Sequence, residues 1–330
     1  TVKAIFSFAL RASIAIVSLK IFSIANKPKL TNKKYTMKHI NELKNLAEAY
    51  LREIEPAKKW GILLKAESLL KAYNYTSKAK LLKDLGISYF ASVNSSQKIM
   101  KGEKQNFDTL VLYLSASKNA GVDLCKFAST GCRLACLVAS GHALIESRAG
   151  KNTIAISRIV KTWLTVYRRD IADTVLCAEI ESARKRAEKR GRKFSVRING
   201  TSDLPFYEVI NAFPNVQFYD YTKDPHRIEL PNYHLTFSYA DTSKSRIKHY
   251  KQALKRGQSI AFPVIASDFE DACAMPDCYS MDDTDLRFLD NGGKYGILKA
   301  KVTNDLQAGV KNKFILSASE LREVIETLEN

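Results

Sequence analysis

Residues 194–222 read "FSVRINGTSDLPFYEVINAFPNVQFYDYT". The two ends of this stretch are β-prone runs rich in aromatic and β-branched residues. The middle, "LPFYEVINAF", has the spacing of a short helix, with Pro205 near its first turn, where a missing N–H leaves no bond unmade. Strand, helix and strand in succession form a βαβ unit, whose strands lie parallel with the helix across one face. The same alternation extends both ways. Upstream, "TLVLYLSAS" (109–117) reads as a buried strand, and about 152–191 as a long helical stretch broken near Asp173. Downstream come the strand "YHLTFSYAD", the helix "SKSRIKHYKQALKRG" stopped at Gly257, and the strand "QSIAFPVIAS". The expected fold is α/β: a partial (β/α) barrel with mostly parallel strands, occupying residues 106–330.

Residues 37–105 carry a different pattern. Ile40, Leu43, Leu46 and Ala47, then Tyr50, Leu51 and Ile54, recur at helical spacing until Pro56. "WGILLKAESLLKAY" restarts an amphipathic helix, and Lys78 to Leu85 forms a third, stopped by Gly86. This segment is expected to be a helical appendage and linker without catalytic groups. Residues 1–36 hold seven basic residues and no acid. They are expected to be a leader or upstream-translated segment outside the fold, the first methionine being Met37. Their longest uncharged apolar stretch, Ala12 to Leu19, is far short of the roughly 20 residues a membrane helix needs. No membrane partner is expected.

Lys and Arg number 52 against 34 Asp and Glu, a net charge of +18. That surplus suits contact with a nucleic acid or a nucleotide, although a solvated basic surface would give the same count. Walker A, G-x-S-x-G, H-E-x-x-H and a strand-following G-x-G-x-x-G are all missing, which argues against P-loop, serine-hydrolase, zincin and dinucleotide folds.

Polar residues follow the apolar part of each strand. After "VRI" come Asn199, Thr201, Ser202 and Asp203; after "VQF" come Asp220, Thr222 and Lys223. In parallel α/β folds the loops at the carboxyl ends of the strands build the site. Ordinary turn chemistry uses the same residues, but Ser115 and the cysteines after "VLYL" and Ser238 and Asp241 after "LTF" make four successive strands, which favours a rim. The loop after the first strand, "CKFASTGCRLAC", holds Cys125, Cys132 and Cys136. Three readings stand for this C-x6-C-x3-C cluster: an iron–sulfur cluster, a zinc site, or inert thiols or a disulfide. His142 or the pair Cys273 and Cys278 would complete a zinc site. Gly131 and Gly141 favour a tight loop there. Three cysteines leave one iron of a [4Fe–4S] cluster open, as in radical S-adenosylmethionine enzymes, which the chain resembles in the position and number of its cysteines. Their usual spacing, C-x3-C-x2-C, is absent. "DDTDLRFLDNGG" adds Asp282, Asp283, Asp285, Arg287 and Asp290, an acidic loop open to metal binding or plain solvation.

"NSSQKIMKGEK", "LYLSASKNAG", "CKFASTGCRLACL", "SVRINGTSDL", "VQFYDYTKDPHR", "LTFSYAD" and "DLRFLDNGG", in this order, resemble the tailed-bacteriophage "gene product 88" family over about 94–315. The resemblance implies a phage or prophage origin, hence the host cytoplasm, together with the cysteine loop and the two polar motifs. It names no reaction. Lys126 stands where the family usually has proline, and Cys273 and Cys278 lie outside its pattern. The combined expectation assigns Cys125, Cys132 and Cys136 to a [4Fe–4S] cluster, with zinc as the alternative metal. Arg197, Asn199, Thr201, Ser202 and Thr222 bind S-adenosylmethionine or substrate, and Asp203, Asp220 and Lys223 act in catalysis on a nucleotide or nucleic acid. The alternative is a zinc-stabilised nucleic-acid-binding accessory protein without activity.

Overall fold

The computed structural model describes residues 41–136, 150–290, 294–301 and 306–330; the leader reading of 1–36, together with Gly141 and His142, lies outside the described residues. Three helices come first: α1 (Asn41–Arg52), α2 (Pro56–Lys71) and α3 (Lys78–Leu85). Pro56 starts α2, Ser77 caps α3 by accepting from the Lys80 N–H, and Gly86 ends α3 in a left-handed conformation. After the short β1 (Ser92–Val93), α4 (Gln97–Met100) and a 3-10 turn, the chain enters β2 (Phe107–Val111). The barrel part then runs α5 (Thr130–Leu134), α6 (Thr153–Tyr167), α7 (Arg169–Lys189), β3 (Lys193–Arg197), α8 (Tyr207–Asn211), β4 (Gln217–Thr222) and β5 (Tyr233–Ser238). It closes with α9 (Lys244–Lys255), β6 (Ile260–Val264), α10 (Phe269–Cys273), β7 (Cys278–Ser280), β8 (Tyr295–Lys299), α11 (Leu306–Lys311) and α12 (Ala318–Glu329).

The strands form one eight-stranded sheet in the order β1-β2-β3-β4-β5-β6-β8-β7. Only β1 is antiparallel; β2, β3, β4, β5, β6 and β8 are successive parallel neighbours, and the sheet is not closed. The expected partial barrel is thus present. Register is set from within: Thr109 lies opposite Ser195, and their buried hydroxyls bond at 2.8 Å. The outer face is covered by two apolar clusters. One joins β2–β5 to α6 and α7 around Trp163, Val175 and Phe218, and takes in Leu43, Tyr50 and Leu70 of α1 and α2. The other packs α9, α10 and α12 on β6 and β8.

The helical stretch 152–191 breaks at Arg168, not near Asp173. Arg168 leaves helical geometry (φ −141°, ψ 63°) and donates to the Leu70 and Tyr73 carbonyls at 3.2 and 2.8 Å. Its guanidinium thereby ties α6 and α7 to the C-terminal end of α2 and the turn after it, which a straight helix could not do. Asp173 sits inside α7, bonded to Arg169. Among the described residues no helix is long and apolar enough to cross a membrane.

Candidate active site

A cavity of about 1210 Å³ opens at the carboxyl ends of the parallel strands. It is bounded by the cysteine loop, the β3 and β4 tips, one stripe of α6, and the interior faces of β6 and β8. A second depression of about 470 Å³, beside Arg192 and Lys193, lies at the opposite end of β3 and shares none of these groups.

The thiol wall is built by the exit of β2. Thr162 of α6 accepts the Ser115 N–H at 2.8 Å and Trp163 donates to the Ala120 carbonyl at 2.9 Å, pinning the loop to the crossover helix. Ser117 takes a left-handed backbone (φ 51°), a costly conformation for a side-chain-bearing residue. Its N–H points at the Cys125 sulfur at 3.5 Å, and its hydroxyl accepts from Arg133. Arg133 also forks onto Asp123 at 3.0–3.2 Å and donates to the Cys125 carbonyl. The tight loop expected around Gly131 is instead the short helix α5, capped by Ser129, which accepts the Cys132 N–H at 3.2 Å. Gly131 serves close packing: a Cβ there would fall 2.7 Å from Phe314 Cβ. Cys125, Cys132 and Cys136 are half-buried, form no disulfide, and all line the cavity. Burial pushes Cys125 up to about 11, against the Ser117 N–H.

Beside this wall lie the strand tips. β3 ends at Arg197, so strand alternation does not extend to Asn199 and Thr201, yet all three line the cavity. Asn199 folds back onto Asp220, donating its backbone N–H at 2.7 Å and its amide at 2.9 Å, and accepts from Ser202 and from the Leu204 N–H. Thr201 donates to the Leu114 carbonyl, tying the β3 tip to the β2 exit. Gly200 permits this approach, since a Cβ there would meet Val111 Cγ1 at 2.7 Å and the Leu112 carbonyl at 2.9 Å. Asp203 accepts from the Thr222 hydroxyl (2.8 Å), the Lys223 N–H (2.9 Å) and Arg227 (2.8 Å). Burial outweighs Arg227 and raises its pKa above the usual carboxylate value.

Asp220 does not face the cavity. Tyr219 and Tyr221 of β4 point inward, so alternation turns Asp220 outward, where it is 0% exposed and accepts from Asn199 and the Tyr233 hydroxyl. It is a strut under the β3 loop, not the catalytic group facing the cavity expected from sequence. Arg197, expected to bind cofactor or substrate, bonds Asp285 at 2.8 Å and stacks 4.8 Å over the Tyr221 ring. Asp285 is 1% exposed and also accepts from Tyr219 and faces Lys98 at 3.7 Å. Its loop is therefore no acidic cage: Asp285 belongs to Arg197 and Asp290 to Arg287 and Tyr279.

The metal readings can be set against this geometry. Among the described residues no three His, Cys, Asp or Glu gather closely enough to hold a metal ion. Cys273 and Cys278 pack against the second apolar cluster, away from the cavity. A single ion shared by the three loop thiols is thus not preformed. A four-iron cube receives each thiolate at a different corner and does not need sulfurs converging on one atom. Three soft donors on one wall, with the Arg133 guanidinium behind them, suit it chemically. Cys132 and Cys136 would hold it with Cys125, whose proton would leave on binding.

Sequence reading found the helix α6 but missed that it walls the cavity. Thr153, Ile154, Ser157, Arg158 and Lys161 form one helical stripe lining the cavity. The signal was a lysine amid "IVKTWLTV", where an amphipathic helix would place its apolar side. With Lys98, Arg133, Lys223, Lys299 and Lys301 the lining is strongly cationic, and two of its three acids, Asp203 and Asp285, are paired to Arg227 and Arg197.

No curated protein and no solved structure matches the chain. A family model described as "Gene product 88" matches residues 57–315, so the match begins within α2 and includes the cysteine loop, both strand-tip motifs and the Asp285 loop. The chain belongs to the gene product 88 family.

Proposed function

We propose that the cavity is the active site of an iron–sulfur enzyme, similar to radical S-adenosylmethionine proteins, acting on an anionic nucleotide. One observation carries the reading. The three thiols after the first parallel strand and the polar tips of the next two line a single cavity at the carboxyl ends of six parallel strands. Cys125, Cys132 and Cys136 would hold the cluster, which supplies one-electron reduction of a cofactor bound at its open iron.

The chain's own groups supply placement. The Asn199–Asp220–Tyr233 bonds fix the β3 loop, so Ser202 and Asp203 stand at set positions on the rim. Asp203, held by Thr222 and Arg227, presents a fixed carboxyl beside the Lys223 ammonium, which lies 5.6 Å from the Phe314 ring centroid. The cationic lining favours a phosphorylated substrate.

Anaerobic purification of the full chain should give brown protein with iron and sulfide in nearly equal amounts, lost in Cys132→Ser. Colourless protein with stoichiometric zinc, and oligonucleotide affinity falling steeply with salt, would instead establish a zinc-stabilised nucleic-acid-binding protein.

A further inference from the structure

The α6 stripe contains two cations mounted on aromatic rings. The Lys161 ammonium lies 4.4 Å from the Tyr89 ring centroid, and the Arg158 guanidinium, one turn earlier, lies 5.5 Å from that of Tyr113. Lys161 is only 4% exposed, yet it lines the cavity. Its ammonium makes no hydrogen bond or ion pair among the described residues. Glu179, the carboxylate closest in effect, uses both oxygens on the Phe90 and Ala91 N–H groups, at 3.1 and 2.5 Å. A buried ammonium without hydrogen bonds is costly, and folds keep one where a ligand completes it. Both Lys161 and the Tyr89 ring line the cavity.

The geometry points to a phosphate subsite formed by Lys161 and Arg158, taking the phosphate or diphosphate group of a small molecule at the α6 wall of the cavity. This rests on reading the cavity as a substrate pocket, not on a cluster being bound. Lys161 is too deeply buried for the backbone of a continuous nucleic acid to run past it, so the ligand is a free nucleotide or a similar small phosphate. The rings of Tyr89 and Tyr113 supply flat surfaces alongside, as a nucleotide's base would use.

The test is calorimetric titration of the aerobically purified, chelator-treated full chain with inorganic pyrophosphate and with AMP. Both should bind. Affinity should fall by at least roughly tenfold in Lys161→Met and in Lys161→Gln, the loss expected for one charge-assisted contact. Circular dichroism and thermal unfolding confirm that each variant is folded, and either variant alone suffices. Unchanged affinity in a folded variant overturns the subsite, as does an oligonucleotide that binds where pyrophosphate does not. Pyrophosphate binding to metal-free protein that never yields iron would leave the subsite standing and remove the iron–sulfur reading; iron without pyrophosphate binding would do the reverse.

Discussion

Replacing Lys161 with methionine should stabilise the protein at neutral pH. Burial drives the Lys161 ammonium from its ordinary 10.5 down to about 8, with Arg158 adding to the fall and Glu179 opposing it. A fall of that size corresponds to about 3 kcal/mol of penalty for keeping the charge inside the fold. Methionine fills a similar volume without charge but loses the contact with Tyr89, worth about 1 kcal/mol. The variant should therefore gain about 2 kcal/mol at pH 7. The pH dependence follows from linkage. Between about 8 and 10.5 the unfolded chain holds a proton on Lys161 that the folded chain has released, so wild-type stability rises with pH there by about 2 kcal/mol up to pH 9.5. The methionine variant lacks that rise, and its advantage should vanish by pH 9.5. Guanidinium unfolding of both proteins at several pH values measures this directly. A variant that is less stable at pH 7, by an amount independent of pH, would refute the reasoning, because it would show that the native fold already satisfies the ammonium.

Two further outcomes follow from the cavity floor and the strand tips. Asp285→Asn strands the buried Arg197 guanidinium and Lys98, and should cost about 3–5 kcal/mol in urea unfolding. Burial alone would raise the Asp285 carboxyl, but Arg197, Lys98 and Arg287 together hold it below the usual value. Its stabilisation is therefore present at neutral pH and disappears as pH falls through its folded pKa, so the acid limb of the stability curve should flatten in the variant. Gly200→Ala places a Cβ 2.7 Å from Val111 Cγ1, 2.8 Å from the Tyr113 ring and 2.9 Å from the Leu112 carbonyl. Backbone on one side cannot yield as a side chain can, and a loss of about 1–3 kcal/mol in thermal or urea unfolding is expected.

The fold was legible because its signals are local and periodic. The run 194–222 specifies strand, helix and strand by alternation and turn chemistry alone, and the sheet repeats that unit. The break at Arg168 was not legible, because its cause is a guanidinium reaching the end of a helix nearly a hundred residues away. The rim was half legible. Sequence showed that polar residues follow each strand, but not which of them turn inward. One residue of phase separates Tyr221, in the cavity, from Asp220 beneath it, and the strand ends before Asn199, so alternation could not be extended to the loop. Arg197 read as a ligand-binding group because its partner, Asp285, comes from a distant loop open in sequence to metal binding or plain solvation.

These misreadings share one cause, and it bears on where the chemistry lies. Of the groups that stood out as reactive, Asp220 is satisfied by Asn199 and Tyr233, and Arg197 is ion-paired to Asp285, although its Nε makes no hydrogen bond. At the cavity the Lys161 ammonium is mounted only on the Tyr89 ring and the Lys223 ammonium lies near the Phe314 ring. Incomplete buried groups destabilise a fold, so a sequence retains them only where something external completes them. By that criterion the cavity has two open faces rather than one. On the proposed reading, the thiol wall would take a soft metal centre and the α6 wall an anion. A substrate whose phosphate sits on α6 would reach across the cavity toward the thiols, with Ser202 and Asp203 along its side. That arrangement makes a chemical prediction of its own: pyrophosphate should compete with the true substrate while leaving the thiols as reactive toward alkylating reagents as before, whereas the intact substrate should protect both walls together.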